Sequence, residues 1–523
     1  MLPGMNAFDY SIVALYFAAM IGLGIRYRHH TTVDDYFLGG RSFGWFPLCM
    51  SSMATQLSVV SFVSAPAFVG LRAGGGMRWL TYEFGVPLAM IVVMTVIGPM
   101  LYRTGMPTAY AFLEGRFGMA SRVLVGGLFI LNRSFSTSIT VYVAGLVLSA
   151  TVPLPVWETM TILSAIATLC SLVGGMKAIV HSEVVQMFAK LIGILTITVI
   201  ALRDVGGWHG FLGDLDRSRL RVIDFANFGF DGREYGFWPM LVGGMFLYAS
   251  YYGTDQTQAQ RLLAARDQQT LRQVLFYNGV LRFPVTFAYC FAGLVLGVFM
   301  RRSPEFSSHI PREQPDLLIP VFVSKYLPHG LIGIITVALI AAWMSAYSST
   351  LNSLTAVTME EFVGRIVPVP KNRYIPFSKS ILLGWGLLMT IQGYVCSRMA
   401  VTAIEAINKI GSLFYGPILG MFLLAALPSV GPHAANIGVL CGVGVNLVLW
   451  LFFKNVFWFW WNALGGATTL ASGMLLSLVW SERRSAAALR LAMPVAFPWK
   501  EACLLMAFLL CILTFCLLLP QLL

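Results

Sequence analysis

The chain has 523 residues, of which 57% are hydrophobic and only 11% are charged, with a net charge of +12. A soluble protein carries about 25% charged residues, and a mean hydropathy of +0.75 leaves too little polar surface to cover a 57.5 kDa chain in water. These values largely exclude soluble enzymes, nucleic-acid-binding modules and secreted disulfide scaffolds, and they predict a polytopic membrane protein.

Apolar stretches long enough to cross a bilayer recur along the whole chain. The first, Phe8 to Ile25, has no basic residue before it and no small-residue cleavage site, so we expect a transmembrane helix rather than a signal peptide. The sequence predicts about fourteen spans, near residues 8–25, 45–71, 79–102, 122–151, 155–175, 181–202, 237–258, 273–300, 331–360, 378–397, 400–428, 433–453, 457–480 and 501–519.

Loop charges orient these spans. The loops that follow odd-numbered spans hold most of the loop Lys and Arg residues, whereas the short loops on the other side hold few. Because basic loops stay on the cytoplasmic side, we expect both termini outside. This pattern and the absence of a recognisable targeting signal indicate a multi-pass protein of the cell membrane. A bacterial inner membrane is the expected location, and a eukaryotic plasma membrane, which follows the same charge rule, is the alternative.

Motifs for chemistry driven by nucleotides or metals are absent from the sequence. No ATP-binding loop, zinc motif or HEXXH is present, so the sequence predicts neither an ATP-driven pump nor a membrane metalloprotease, and no enzyme. The eight cysteines fall in or beside apolar stretches without CxxC spacing and are expected to be free thiols. An ion gradient is the expected energy source.

The second span is unusually polar for a membrane helix, and this polarity predicts a broken helix near the bilayer midplane. As an alternative, the hydroxyls bond back to their own helix or permit close packing. The polar residues of the span are Ser51, Ser52, Thr55, Gln56, Ser58, Ser61 and Ser64.

The ninth span carries a polar stripe. Ser345, Ser348, Ser349 and Asn352 are spaced 0, 3, 4 and 7, which places them on one helix face. Hydroxyl oxygens are ligands for a hard cation, although a serine stripe taken alone more often serves packing.

Two isolated charges and one more polar run lie within the apolar segments. Glu183 begins the sixth span, where it is either functional or merely solvated, and Arg133 lies in the fourth. A buried guanidinium needs an anion, either a bound ligand or an internal partner such as Glu83 or Glu183. The polar run at 248–261, after two glycines, predicts a second interrupted helix.

The two interrupted helices divide the chain into repeated blocks, a pattern typical of inverted five-helix repeats. We predict a first helix and cytoplasmic loop at 1–44, a first five-helix block at 45–203, an outer loop at 204–236, a second five-helix block at 237–428 and accessory transmembrane helices at 429–523.

With these features in place, the sequence resembles the sodium:solute symporter family over nearly its whole length. The run DDYFLGGR at 34–41 resembles the family's DYFLAGR segment, and DQTQAQRLLAA at 255–265 resembles its [DN]Q..QR.LAA segment. Asn352-Ser353 and Thr358-Met359-Glu360 fit its serine-rich helix. The resemblance implies an all-α protein with the LeuT-type inverted repeat.

The resemblance also implies cation-binding residues. The conserved sodium site would use the main-chain carbonyls of Ala54, Leu57 and Ala342 with the hydroxyl of Ser345. The chain has Ala346 where the family often has a second hydroxyl. A second cation site, described for some members, would fall at Glu183, Ser345, Ser348 and Ser349. One or two Na⁺ ions are therefore expected, with proton coupling as the alternative.

For the substrate, Arg133 matches the position at which sialic-acid transporters of the family place an arginine against the sugar acid's carboxylate. Ser58 and Ser61 match hydroxyl positions of that pocket. Other positions that line the site in sugar-carrying relatives correspond to Gln56, Glu83, Thr137, Tyr248 and Asn408, with Tyr82 and Tyr251 as gates.

The function predicted from these observations is secondary active transport of a small organic solute by alternating access, with a carboxylated sugar such as sialic acid favoured. The alternatives are a neutral sugar or a monocarboxylate as the substrate, and, more remotely, a passive facilitator or a membrane solute sensor. The expected partners are the solute and the lipid bilayer, without nucleic acid, and the chain is expected to function as a monomer.

Overall fold

The structure is a computed structural model that describes residues 5–29, 32–152, 154–311, 314–366, 368–397, 403–480 and 497–523. The regular structure within these ranges is helical, apart from a single bridge between Phe43 and Ala265. The α-helices are α1 (Ala7–Arg26), α2 (Val33–Leu38), α3 (Trp45–Gln56), α4 (Val59–Gly70), α5 (Gly85–Val92), α6 (Gly98–Thr104), α7 (Ala111–Phe117), α8 (Met119–Ser149), α9 (Val156–Asp204), α10 (Gly207–Gly213), α11 (Gly244–Gly253), α12 (Gln256–Leu263), α13 (Gln268–Arg302), α14 (Pro304–Ser308), α15 (Leu318–Tyr326), α16 (Leu331–Val357), α17 (Gly364–Ile366), α18 (Lys371–Cys396), α19 (Ala403–Ala425), α20 (Pro432–Phe452), α21 (Phe459–Val479) and α22 (Trp499–Leu522).

Tighter and wider helical turns extend or link several of these helices. The 3₁₀ segments are Gly39–Arg41, Gly76–Phe84, Arg217–Leu220 and Pro315–Leu317, and the π segments are Val93–Ile97, Pro239–Gly243 and Thr358–Val363. All eight cysteines are free, as the sequence predicts.

The predicted count of fourteen spans is not confirmed. In the described part of the chain, 11 helices are long and apolar enough to cross a membrane, or 12 if the bent pair of α3 and α4 counts as one span. Two of the predicted spans, 155–175 and 181–202, correspond to the 49 residues of α9, and the predicted span 237–258 covers a π segment, the short α11 and the beginning of α12. Hydropathy thus predicts two spans where the helix count has the single helix α9, and it predicts a span at 237–258 that the helix count does not include.

The long helix α9 changes direction at one glycine. A straight helix of its length would extend about 70 Å, far more than the roughly 30 Å of hydrocarbon that one span needs. Gly175 adopts φ 52° and ψ −159°, which a residue with a side chain rarely adopts, so the helix breaks there. The part of α9 after Gly175 packs against α3 and α16.

The break that the sequence predicts in the second span lies between α3 and α4. Leu57 has φ −81° and ψ 73°, Ser58 is extended with ψ 177°, and the two helix axes meet at 57°. Helical hydrogen bonding stops there, so carbonyl groups at the end of α3 need other partners. Those carbonyls lie in the protein interior, because residues 48–55 are all buried.

Glycines bring α4 and α13 into close contact. A Cβ atom at Gly70 would lie 2.4 Å from the carbonyl oxygen of Gly293, and one at Gly293 would lie 2.5 Å from the carbonyl oxygen of Pro66. Gly297 meets the backbone of Gly70 in the same way. Close approach of backbones through small residues four apart is a common way to pack helices in membranes. This contact holds the second half of the broken span in place.

We therefore predict that Gly293→Val destabilises the protein by roughly 1–3 kcal/mol, the usual cost of overpacking a filled interior. Thermal unfolding of the purified protein in detergent measures the change. Gly444→Val on α20 is the matched control, because a Cβ atom there meets nothing within 4 Å. Equal melting temperatures for the two variants would show that the close contact of α4 with α13 is not required.

Candidate functional site

A cavity of about 120 Å³ lies beside the break between α3 and α4. Residues of the 3₁₀ segment Gly76–Phe84 and of α8, α11, α12, α13, α16 and α19 complete its wall. The lining residues are Thr55, Gln56, Ser58, Val60, Ser61, Trp79, Tyr82, Arg133, Ser136, Thr137, Thr140, Leu247, Tyr248, Tyr251, Thr257, Arg282, Ala346, Thr350, Ile407, Asn408 and Tyr415.

This cavity brings together almost all the residues predicted to contact the substrate. The predicted residues in its wall are Gln56, Ser58, Ser61, Tyr82, Arg133, Thr137, Tyr248, Tyr251 and Asn408. Glu83 is not in the wall. Its carboxylate, which is 1% exposed, lies behind the wall and accepts hydrogen bonds of 2.8 and 3.0 Å from Arg282 and one of 3.0 Å from Thr286. The roles of all these predicted residues in binding a substrate stay predictions.

The guanidinium of Arg133 has an internal carboxylate partner, which is neither Glu83 nor Glu183, the two examples considered from the sequence. Its Nε donates to Oδ2 of Asp255 at 2.5 Å. The guanidinium carbon lies 4.8 Å from the ring centroid of Tyr251 and 5.8 Å from that of Tyr415. One terminal nitrogen, Nη2, is buried and has no hydrogen-bond partner. Arg133 is therefore held by one carboxylate and two aromatic rings, with donor capacity left over.

Sequence reasoning missed the role of Asp255. Its carboxylate caps α12 by accepting from the backbone N–H of Thr257 at 2.9 Å, and its other oxygen binds Arg133. An Asp before the polar run QTQAQR is a recognisable N-cap signal. Its ion pair with α8 could not be predicted, because the pair joins residues 122 positions apart.

The two residues predicted as gates belong to an aromatic layer. Tyr82 stacks on Tyr248 with ring centroids 5.5 Å apart, and Tyr251 lies against Tyr415 at 6.1 Å. Trp79 packs against Tyr82 at 5.0 Å. These rings form part of the cavity wall. They belong to the 3₁₀ segment Gly76–Phe84, to α11 and to α19.

The oxygens predicted for the conserved sodium site do converge, but a lysine lies among them. The ammonium Nζ of Lys190 donates to the carbonyl oxygens of Ala54 at 2.5 Å and Leu57 at 2.9 Å and to the hydroxyl of Ser345 at 2.7 Å. The Ser345 hydroxyl also contacts the carbonyl of Ala342 at 3.3 Å. The position predicted for the ion therefore does not fit a sodium ion as this structure stands.

The second predicted cation cluster is also engaged by a basic side chain. The guanidinium Nη2 of Arg261 lies 2.8 Å from both carboxylate oxygens of Glu183 and also contacts the hydroxyl of Ser349. The hydroxyls of Ser51, Thr55 and Ser349 also donate to Glu183, which is fully buried rather than solvated. Ser348 is buried on α16, but it makes no hydrogen bond to Glu183 in the described part of the chain.

An ion-pair cluster joins the end of α4 to the beginning of α19, and we call it the α4–α19 latch. It consists of Arg72, Glu234, Tyr235 and Glu405. Arg72 binds Glu405 directly and Glu234 at 2.8 Å, while the hydroxyl of Tyr235 donates to Glu405 at 2.7 Å. Burial raises the pKa of the Glu234 carboxyl above its usual value.

The latch lies next to the cavity. The ring of Tyr235 is 6.1 Å from that of Trp79, which lines the cavity, and 4.8 Å from that of Phe68. Residues of α19 just beyond the latch, Ile407 and Asn408, are also in the cavity wall. The latch therefore ties together two helices that both line the cavity.

Comparison with known proteins agrees with this architecture. The profile of the sodium:solute symporter family matches residues 36–427. Sodium-coupled monocarboxylate transporter 2 of Bos taurus is 27% identical over 83% of this chain and 71% of that protein, and the sodium/iodide cotransporter of Homo sapiens is 28% identical over 88% and 70%.

Solved structures share the fold. A Na⁺-coupled sialic acid symporter, in a substrate-bound outward-open state reported to reveal a novel Na⁺ site, matches with a TM-score of 0.81 at 20% identity over 92% of this chain and 99% of its own. MhsT in complex with L-phenylalanine matches with a TM-score of 0.52 at 15% identity over 83% and 99%. The protein is therefore a membrane transporter with the LeuT fold.

The chain belongs to the sodium:solute symporter family. It is therefore a sodium-coupled solute symporter by class. The sequence predicted the family, the LeuT-type fold and a transporter rather than an enzyme, and these predictions are confirmed.

We predict that Arg72→Gln opens the cavity on the side of the α4–α19 latch. Labelling of a cysteine placed at Thr137, in a chain whose other cysteines are replaced, by a membrane-impermeant thiol reagent measures the opening. We expect labelling to become about 10-fold faster, which corresponds to a loss of about 1.4 kcal/mol from the closed state. Arg233→Gln is the control, because the ion pair of Arg233 with Asp231 is exposed. An unchanged rate in Arg72→Gln would contradict the assignment of the latch.

Proposed function

We propose that this protein is a secondary active transporter that carries a small organic anion into the cell by alternating access. The observation that carries the proposal is the cavity beside the α3–α4 break, because a guanidinium with unused donor capacity lies in its wall. Solute sites beside interrupted helices are typical of transporters built from inverted repeats. Closing and opening of the cavity by the α4–α19 latch provides the alternation on one side.

Arg133 is the group that we propose to bind the anion. Its Nε is used by Asp255 and its buried Nη2 has no hydrogen-bond partner, so a substrate carboxylate that reaches Nη2 would not have to displace that pair. Tyr251 and Tyr415 fix the guanidinium through cation–π contacts and leave little freedom for it to reorient. The site is therefore preorganised for a planar anionic group.

The size of the cavity favours a small anion over a nine-carbon sugar acid. Its volume of about 120 Å³ is well below the roughly 300–1,000 Å³ of sites for drug-sized ligands. A monocarboxylate of a few carbon atoms is the substrate that fits this space with the least rearrangement. The relatives named as monocarboxylate transporters lend further support.

A carboxylated sugar such as sialic acid is the second candidate. The observation in its favour is the set of hydroxyl and amide groups in the wall, contributed by Ser58, Ser61, Thr137, Gln56 and Asn408, which suits a polyhydroxylated solute. The same groups are compatible with a neutral sugar, for which Arg133 would not be required. Orientation with both termini outside, a bacterial inner membrane and action as a monomer stay predictions from the sequence.

Uptake into proteoliposomes tests the proposal. With an inward cation gradient, we expect accumulation of labelled lactate, weaker accumulation of sialic acid and none of glucose. Arg133→Gln should lower the rate of anion uptake by about 10-fold or more, because a hydrogen bond to a charged group contributes about 1.5–3 kcal/mol.

The matched control is the same substitution at an exposed arginine. Arg266→Gln alters a side chain that is 62% exposed and pairs with its neighbour Asp267, so we expect native rates. Native anion uptake by Arg133→Gln would refute the role given to Arg133, whereas accumulation of glucose and not of either anion would refute an anionic substrate.

A further inference from the structure

Lys190 is a fully buried cation in the middle of a membrane-spanning segment. It lies in α9 beyond Gly175, within the apolar run FAKLIGILTITVI, and its relative exposure is 0%. Its ammonium group has three N–H donors, and three oxygens lie within hydrogen-bond distance of it. Every donor is therefore satisfied, which a buried charge requires.

The three acceptors are all neutral. Two are the carbonyl oxygens of Ala54 and Leu57, at the end of α3 where helical hydrogen bonding stops, and the third is the Ser345 hydroxyl of α16. The carbonyl end of a helix carries partial negative charge, which favours a cation there. Lys190 is held in the way that oxygen ligands hold a small metal cation, and not as half of an ion pair.

The other buried basic groups around the cavity behave differently. Arg133 is paired with Asp255, Arg261 with Glu183 and Arg282 with Glu83. Within the described residues, Lys190 has no carboxylate within ion-pair distance. Its ammonium group therefore does not pair directly with a side-chain anion, and it donates instead to the carbonyl oxygens at the helix break.

We propose that the ammonium group of Lys190 is a tethered replacement for the sodium ion at this position, so that the position binds no sodium in this protein. The carbonyl oxygens of Ala54 and Leu57 and the Ser345 hydroxyl are the atoms that the family resemblance implied as sodium ligands. Because Nζ lies 2.5–2.9 Å from all three, no space remains for an ion.

An ammonium group at this position also accounts for the absence of a hydroxyl at Ala346. A sodium ion prefers several oxygen ligands, so the loss of a second hydroxyl next to Ser345 would weaken its site. An ammonium group has only three donors, and three oxygens satisfy them without a hydroxyl at position 346. The side chain of Ala346 instead forms part of the cavity wall.

A consequence concerns the ions that move in each cycle. A sodium ion leaves its site when the transporter opens inward, whereas the amino group of Lys190 stays attached to α9. Any sodium that drives transport by this protein must therefore bind at another position. The inference does not depend on the identity of the carried solute, so it can be tested without a substrate.

Equilibrium binding of radioactive sodium to the purified full-length protein tests the proposal. We expect Lys190→Ala to bind one sodium ion more than the native protein, because the three oxygens become free, and we expect Lys190→Ala combined with Ser345→Ala to lose that ion. Lys190→Met should gain none, because its apolar side chain fills the space without charge. Lys454→Ala, which removes an exposed lysine, is the control for unspecific effects of charge.

A second measurement does not depend on the folding of any Lys190 variant. In the otherwise native chain, Ser345→Ala should leave the amount of bound sodium unchanged, since Lys190 and not sodium uses that hydroxyl. Loss of one sodium ion in Ser345→Ala would overturn the proposal. Equal sodium binding by monodisperse preparations of Lys190→Ala and Lys190→Met would overturn it as well.

Discussion

The interruption of the α3–α4 span at Leu57 and Ser58 is the constraint on which the rest of the structure depends. Backbone carbonyls that a continuous helix would satisfy are left inside the membrane domain, where an unpaired polar group costs several kcal/mol. Lys190 and Ser345 satisfy them on one side of the break. On the other side, Gln56, Ser58 and Ser61 face the cavity. Residues at the break therefore serve both places. The carbonyls of Ala54 and Leu57 bind Lys190, and Gln56 and Ser58 line the cavity.

The interior is organised by a small set of buried ion pairs. Each pair joins helices that are distant in the sequence, for instance α8 with the N-cap of α12 through Arg133 and Asp255, and α12 with α9 through Arg261 and Glu183. Breaking a buried pair leaves an uncompensated charge, which costs about 3–5 kcal/mol. The pairs therefore fix the cavity wall, and Lys190, bound to neutral oxygens, contributes the positive charge that they do not neutralise. An anionic solute beside the break would be compatible with that charge.

Local patterns in the sequence predicted a helical membrane protein and the break in its second span, whereas the LeuT-type repeat and most residues of the cavity wall were predicted from the resemblance to the family. Hydropathy located the apolar segments, and the cluster of hydroxyls from Ser51 to Ser64 located the break, because polar residues are costly within an apolar span. The sequence did not predict which arginine pairs with which carboxylate, because such pairs depend on helix packing over more than 70 positions. Lys190 was overlooked, although a lysine in the middle of an apolar span is itself a strong signal. Two of its three partners are backbone carbonyls, which leave no trace in the sequence.

We expect the cation at the helix break to be the ammonium group of Lys190, which is covalently part of the protein. The most direct test is an experimental structure at a resolution that separates an ammonium group from an ion, determined once in sodium chloride and once in choline chloride. We expect the same continuous side-chain density of Lys190 reaching the carbonyl oxygens of Ala54 and Leu57 in both salts. A separate peak between these oxygens and Ser345 in sodium chloride alone, with Lys190 turned away, would contradict the account.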